Sequence, residues 1–192
     1  SQLQENNFKA KIGELSSICT IGDKPNKLIF VGLGESTNLL IDNLRKAAAL
    51  GARASVGNTG KLGIIFPWEQ FDIELSAKAV AEAVRLSLFK DLRFRSKPEP
   101  TLIPEKLELI GISDSASNLI KTVSPTCAGV ELARELVGAP PNSLTPTALA
   151  EKATEIAKEY GLDVKVFEKE DCQAQGMGAF LAVAQGSDLD PK

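Results

Sequence analysis

The chain has 192 residues, of which 43% are hydrophobic and 24% charged, and its formal net charge is -3. That is the composition of a globular chain able to build a core; it excludes a disordered segment and a polycation drawn to nucleic acid or anionic lipid. Histidine is absent, which excludes Ser-His-Asp and Cys-His nucleophile systems and histidine-based zinc sites.

No apolar run approaches the ~18–20 residues that cross a bilayer. Ser1 to Glu5 carry neither a basic start nor an apolar stretch, so no secretory leader is expected. Cys19, Cys127 and Cys172 are odd in number and far apart, a pattern that fits a reducing compartment better than a disulfide framework.

In chain order, Leu28-Ile29-Phe30-Val31 predicts a buried strand, and Gly32-Leu33-Gly34 a tight turn after it. A helix should follow, capped by Ser36 or Thr37, with Leu40, Leu44, Ala47 and Ala48 on one face and Gly51 or Gly57 at its end. Leu62 to Phe66 predicts a second strand, closed by Pro67. Leu75, Ala79, Val84, Leu88 and Leu92 predict a helix between about Glu74 and Leu92, with Lys78, Glu82 and Arg85 on its surface. The prolines of Ser96 to Pro104 make a loop. Lys106 to Ile112 reads as a strand, with Gly111 at a close backbone approach.

Ser124-Pro125 opens another helix, with Val130, Ala133 and Val137 on one face and Gly138-Ala139-Pro140-Pro141 as its stop. Thr145-Pro146 begins the next, with a buried stripe of Leu149, Ala153, Ile156, Ala157 and Tyr160, and Gly161 as a left-handed cap. Asp163 to Phe167 is expected as a strand, Lys169 to Gln175 as a short helix, and Ala179 to Ala184 as a small-residue strand. Strands alternating with helices predict a layered α/β fold. The double-proline stop marks the preceding helix as a bridge between two domains.

Four constellations are candidates for chemistry. Gly32 and Gly34 stand where backbone amides cradle a phosphate, but position 37 is threonine and no acid follows at the spacing of a ribose contact. Phe89-Lys90, Arg93-Phe94-Arg95 and Lys97 interleave basic and aromatic side chains, as a nucleic-acid patch would; the alternative is a solvated helix end with its phenylalanines turned inward. Glu168, Glu170 and Asp171, with Asp188 and Asp190, offer carboxylates for a hard metal or simply complement a helix dipole. The thiols read as small buried hydrophobes. By themselves these residues make no convincing active site.

The segment Leu132-Ala133-Arg134-Glu135-Leu136-Val137-Gly138-Ala139-Pro140-Pro141-Asn142-Ser143-Leu144-Thr145-Pro146 resembles the signature that joins the two domains of leucyl (cytosol) aminopeptidases. Gly176-Met177-Gly178-Ala179-Phe180-Leu181-Ala182-Val183-Ala184-Gln185-Gly186-Ser187 resembles the first core strand of their catalytic domain. Phe8 to Glu14, Val31 to Glu35 and the run into Ser96-Lys97 match more loosely. The resemblance implies a macro-domain-like mixed sheet flanked by helices over residues 1–122, a linker helix over 123–141, and the first helix and strand elements of a second, zinc-peptidase-like α/β domain over 142–192.

For the parent protein the resemblance implies a metal-dependent aminopeptidase acting on peptide substrates. Two divalent ions (Zn or Mn) would polarise the carbonyl and activate a water. It also implies a homo-oligomer, in this family a hexamer, in the cytoplasm or a plant plastid stroma, with no membrane partner. The family's ligand stretches, Lys-Gly…Asp-Ser-Gly-Gly and Asn-Thr-Asp-Ala/Glu-Gly-Arg, would lie beyond Lys192, and further strands before Phe8. This segment is therefore expected to be inactive, to bind no metal, and to serve folding, assembly and linkage. Residues 141–192 are expected to pack poorly alone or to be covered by another chain. Two alternatives stay open: an ADP-ribose-type ligand at Gly32–Gly34, or a nucleic acid held by Arg93 and Arg95.

Overall fold

The computed structural model describes residues 3, 7–22, 24–112 and 120–192. They form two compact units, Ser1–Arg134 and Glu135–Lys192.

In the first unit, β1 (Leu15–Cys19) and β2 (Lys27–Val31) form an antiparallel ladder with Leu15 opposite Val31. A single 3-10 turn at Ser36–Asn38 precedes α1 (Ile41–Ala54). Ser36 and Thr37 therefore lie in this turn and do not cap α1; the Asn43 side chain instead accepts the Leu40 N–H at 2.8 Å. Gly51 lies inside α1, and Gly57, at φ 94°, is beyond its end. β3 (Lys61–Ile65) is followed by a 3-10 turn at Trp68–Gln70, by α2 (Ile73–Leu88) and by β4 (Lys106–Ile110). β3 and β4 run parallel, Lys61 opposite Lys106, and α2 supplies the crossover that parallel neighbours require.

Both senses of pairing expected of a mixed sheet are present, but as two separate two-stranded ladders. Leu44, Ala48 and Ala52 of α1 join Val80 and Val84 of α2 and Trp68 in one buried cluster. Leu62 and Ile64 of β3, with Leu107 and Leu109 of β4, pack against it. Burying each large apolar side chain there contributes about 1.5–3 kcal/mol.

The Asp72 side chain caps α2 by accepting the Leu75 N–H at 2.9 Å, and Leu75 is 54% exposed. The expected core position at Leu75 is thus a surface one, and the helix ends at Leu88, short of Leu92. Trp68 donates its indole N–H to the Ile110 carbonyl at 2.7 Å and meets Phe66 edge-on, closing the ends of β3 and β4. α3 (Val123–Gly138) begins in the first unit, and the division between the units falls within it. Its Val130, Ala133 and Val137 face is exposed rather than buried.

In the second unit, Thr145 caps α4 (Pro146–Tyr160) by accepting the Ala148 N–H at 3.2 Å, with proline in the first turn. Gly161 ends it in the left-handed conformation, φ 67°. Of the expected stripe only Ala157 is buried and Ile156 half-buried; Leu149, Ala153 and Tyr160 are exposed. Residues 163–167 are assigned to no ladder, so the expected strand there is not formed. After α5 (Lys169–Ala174), the predicted strand at Ala179–Ala184 is instead helix α6 (Gly178–Ala184). The alanines and leucine of that segment favour a helix once no partner strand lies alongside. The second unit therefore shows no strand among the described residues.

Replacing Trp68 with Phe keeps a six-membered aromatic ring but removes the pyrrole part of the indole and strips the Ile110 carbonyl of its donor. Urea denaturation should show a loss of about 1–3 kcal/mol; no measurable loss would remove this bond from the fold's supports.

Candidate functional site

The Gly32–Gly34 turn uses its polar groups internally. The Gly32 N–H donates to the Glu14 carbonyl at 2.8 Å, the Gly32 carbonyl accepts from Gly13 at 2.9 Å, and the Gly34 N–H donates to the Ala10 carbonyl at 3.0 Å. A Cβ on Gly32 would lie 2.0 Å from the Lys11 carbonyl oxygen, so the glycine exists to let two backbones touch. The approaching loop is braced by the Glu14 carboxylate, which accepts the N–H groups of Lys9 and Lys11 at 3.0 Å each. The amides that a phosphate would need at Gly32 and Gly34 are already committed.

Two of the four basic side chains in the cluster have partners within the fold. Arg93 grips Asp91 at 2.9 and 2.7 Å, and Lys90 donates to Thr101 at 3.0 Å. The Arg93 hydrogen bonds, side chain first and backbone second, hold the Asp91 carboxyl down at about 2. Phe94 is not turned inward: it is 51% exposed, with the Arg93 guanidinium 5.3 Å from its ring centre. Among the carboxylates, Asp171 accepts the Glu168 N–H at 3.0 Å, Glu168 pairs with Lys192, and Asp190 pairs with Lys169 at 2.9 Å. These acids cap α5 and balance lysines. Cys127 and Cys172 are buried and Cys19 is exposed. Burial pushes the Cys127 thiol up, away from the reactive thiolate.

The contacts that the sequence did not reveal lie between α2 and α3. Arg85, expected as a plain surface residue, donates through Nε to Glu131 at 2.8 Å and through a terminal nitrogen at 2.6 Å. Its other terminal nitrogen reaches the Ser124 carbonyl at 3.2 Å and hydroxyl at 3.0 Å. The Glu131 hydrogen bond raises the Arg85 pKa further. Arg134 donates to the Leu86 carbonyl at 2.6 Å, satisfying an acceptor in the last turn of α2. The partners lie 39 to 48 residues apart, so no local pattern announces them. Past α3, the N–H groups of Ser143 and Leu144 both bond the Pro140 carbonyl, at 2.8 and 2.9 Å. That turn delivers the chain to the Thr145 cap.

The second unit carries an open groove of about 720 Å³ whose apolar lining includes Leu144, Leu149, Val164, Val166, Phe180 and Val183. Val183 is 88% exposed.

Comparison with known families matches residues 1–98 to the N-terminal domain, and residues 131–192 to the catalytic domain, of the cytosol aminopeptidase family. The chain belongs to the cytosol aminopeptidase family. A probable cytosol aminopeptidase of Prochlorococcus marinus (strain MIT 9313) is 58% identical over 99% of this chain, and one from Synechococcus sp. (strain CC9311) is 50% identical over 99%. The chain spans 39% and 38% of the length of these relatives. Among solved structures, a tomato leucine aminopeptidase mutant superposes with a TM-score of 0.83 at 31% identity, over 98% of this chain and 38% of that one. The bottromycin maturation enzyme BotP in complex with Mn gives 0.79 at 26% identity, over 100% of this chain and 40% of that one.

Members of the cytosol aminopeptidase family use metal ions. Among the described residues no three His, Cys, Asp or Glu side chains come together.

Three outcomes check this reading of the turn and the basic cluster. Calorimetric titration with ADP-ribose should give no heat; saturable heat abolished by Gly32→Ala would reverse the assignment. Gly32→Ala alone should destabilise the first unit by about 1–3 kcal/mol through overpacking. The Asp91 carboxyl, followed by NMR, should titrate near 2 and return toward 3.8 in Arg93→Gln. Because its folded value is depressed, its stabilising contribution is present above the ordinary value and is lost as pH falls through about 2.

Proposed function

We propose that this chain is the scaffold portion of a two-metal aminopeptidase that removes residues from the amino termini of peptides. The single observation that carries this reading is that the similarity runs continuously from the N-terminal domain into the catalytic domain, at 58% identity to a probable cytosol aminopeptidase over 99% of the chain. On this reading the two divalent ions, Zn or Mn, are held by residues outside this segment; the Mn in BotP supports manganese as one choice. Residues 1–122 form a macro-domain-like α/β unit. Residues 123–141 link the domains, and 142–192 begin the catalytic domain. The assembly is a homohexamer of the cytoplasm, or of the plastid stroma in a plant.

The open apolar groove supports incompleteness of residues 142–192 as an isolated unit. A groove of about 720 Å³ lined by leucine, valine and phenylalanine is costly in water at roughly 25 cal/mol per Å² of apolar surface. The remainder of the catalytic domain is its proposed cover. An ADP-ribose reader is disfavoured by the committed Gly32 and Gly34 amides, and a nucleic-acid module by the Asp91–Arg93 pair.

Hydrolysis of a leucyl anilide should occur with the full-length gene product plus manganese or zinc and not with residues 1–192. Turnover by the 192-residue chain would overturn the scaffold role, and silence of the full-length protein with both ions would overturn the peptidase reading. Amide exchange after Asn142 should be fast in the monomeric 192-residue chain; strong protection there would show that the groove needs no cover.

A further inference from the structure

The contact between α2 and α3 is small in apolar area and rich in charge. Its buried cluster is Ala81, Val123 and Cys127, backed by Leu86 and Leu107. None of its buried residues belongs to the Leu44–Val80 cluster that joins α1 to α2, although Leu107 packs against both. Around this patch Arg85 makes four hydrogen bonds, two to Glu131 and two to Ser124, and Arg134 closes the end of α2 through the Leu86 carbonyl while lying 5.9 Å from the Phe89 ring centre. Arg85 is 36% exposed and Glu131 19%, so the pair is partly screened from water and its hydrogen bonds are of the charge-assisted kind.

From this we infer that Arg85 is the positioning residue of a latch: its fork onto Glu131 and Ser124 holds the first half of α3 against α2, and α3 opens as a unit of its own when the fork is broken, leaving the α1–α2 core intact. Separate clusters are what allow one element to open below the free energy of global unfolding. A few small side chains cannot hold a helix once its polar ties are cut and the Glu131 charge is left half-buried. Cys127 lies in the middle of the latch at 0% exposure, so its thiol meets solvent only when α3 lifts.

The test reads thiol accessibility by peptide-resolved alkylation with iodoacetamide on the whole chain, alongside amide exchange. Arg85→Ala and Glu131→Gln should each speed Cys127 labelling about tenfold to a hundredfold, the range expected for loss of charge-assisted bonds. Exchange in α1 and the Val80 turn of α2 should stay within about twofold. Arg85→Lys, which keeps the charge but not the fork, should fall between. Exchanging the pair, Arg85→Glu with Glu131→Arg, should restore most of the protection. Unchanged labelling in both single variants would overturn the latch. So would faster labelling matched by equally faster exchange throughout α1 and α2, which would mean general loosening. If Arg85→Ala does not fold, α3 is not a separately opening element; Glu131→Gln, which removes charge without volume, then decides whether the pair matters at all.

Discussion

The approach of α1 to α2 is the constraint on which the first unit depends. Ala48 and Ala52 stand in the same buried cluster as Val80 and Val84, and small side chains of this kind let two helices come close enough to act as one layer. Everything else in that unit is fastened to the layer. β3 and β4 lay Leu62, Ile64, Leu107 and Leu109 on it. The β1–β2 ladder is tied to the end of α1 where the Lys27 ammonium donates to the Ala54 carbonyl at 2.9 Å. Enlarging Ala48 or Ala52 would push the layer apart and displace both ladders together.

A second regularity follows from how the polar groups are used. In each place where chemistry was conceivable, several of the groups that would act on a ligand are turned to holding the fold. Gly32 and Gly34 amides bond the neighbouring loop. Arg93 is chelated by Asp91, and Glu168, Asp171 and Asp190 are occupied in caps and ion pairs. A side chain whose hydrogen bonds are satisfied within its own unit must give them up before it can bind anything else, at about 1–3 kcal/mol for each charged contact. That distribution suits a scaffold, and it fits a family in which the proposed chemistry sits in the larger share of the protein.

Much of the fold was legible because its signals are local. The Leu28–Val31 run, the Pro67 stop, the Thr145-Pro146 start and the Gly161 cap each follow from the preferences of a few adjacent residues, and the structure has all of them, although the Leu28–Val31 strand is half-buried with Leu28 exposed rather than buried as expected. The turn at Gly32-Leu33-Gly34 is legible as a turn, but the reason for glycine at 32, the close approach of the loop from Ala10 to Glu14, cannot be seen from the turn alone. Two kinds of feature escaped. Residues 163–167 and Ala179–Ala184 look like strands by composition, but a strand exists only where a partner edge is present, and short apolar runs do not distinguish helix from strand. The Arg85–Glu131 and Arg134–Leu86 ties were invisible for a different reason. They join residues more than 40 apart, and nothing in the spacing of a single arginine on an amphipathic helix says that it faces another element. The family resemblance, by contrast, is carried by two segments, Leu132 to Pro146 and Gly176 to Ser187, and the comparisons support it over 99% of the chain.

The proposed division of labour between this segment and the rest of its protein is tested most directly by metal binding. The chelator-stripped 192-residue chain, dialysed to equilibrium against micromolar manganese or zinc and analysed for bound ion, should retain no stoichiometric metal, whereas the full-length protein should retain two ions per chain. Two tightly held ions on the short chain would contradict the central claim, because they would place the catalytic donor set among residues that the fold commits to structure.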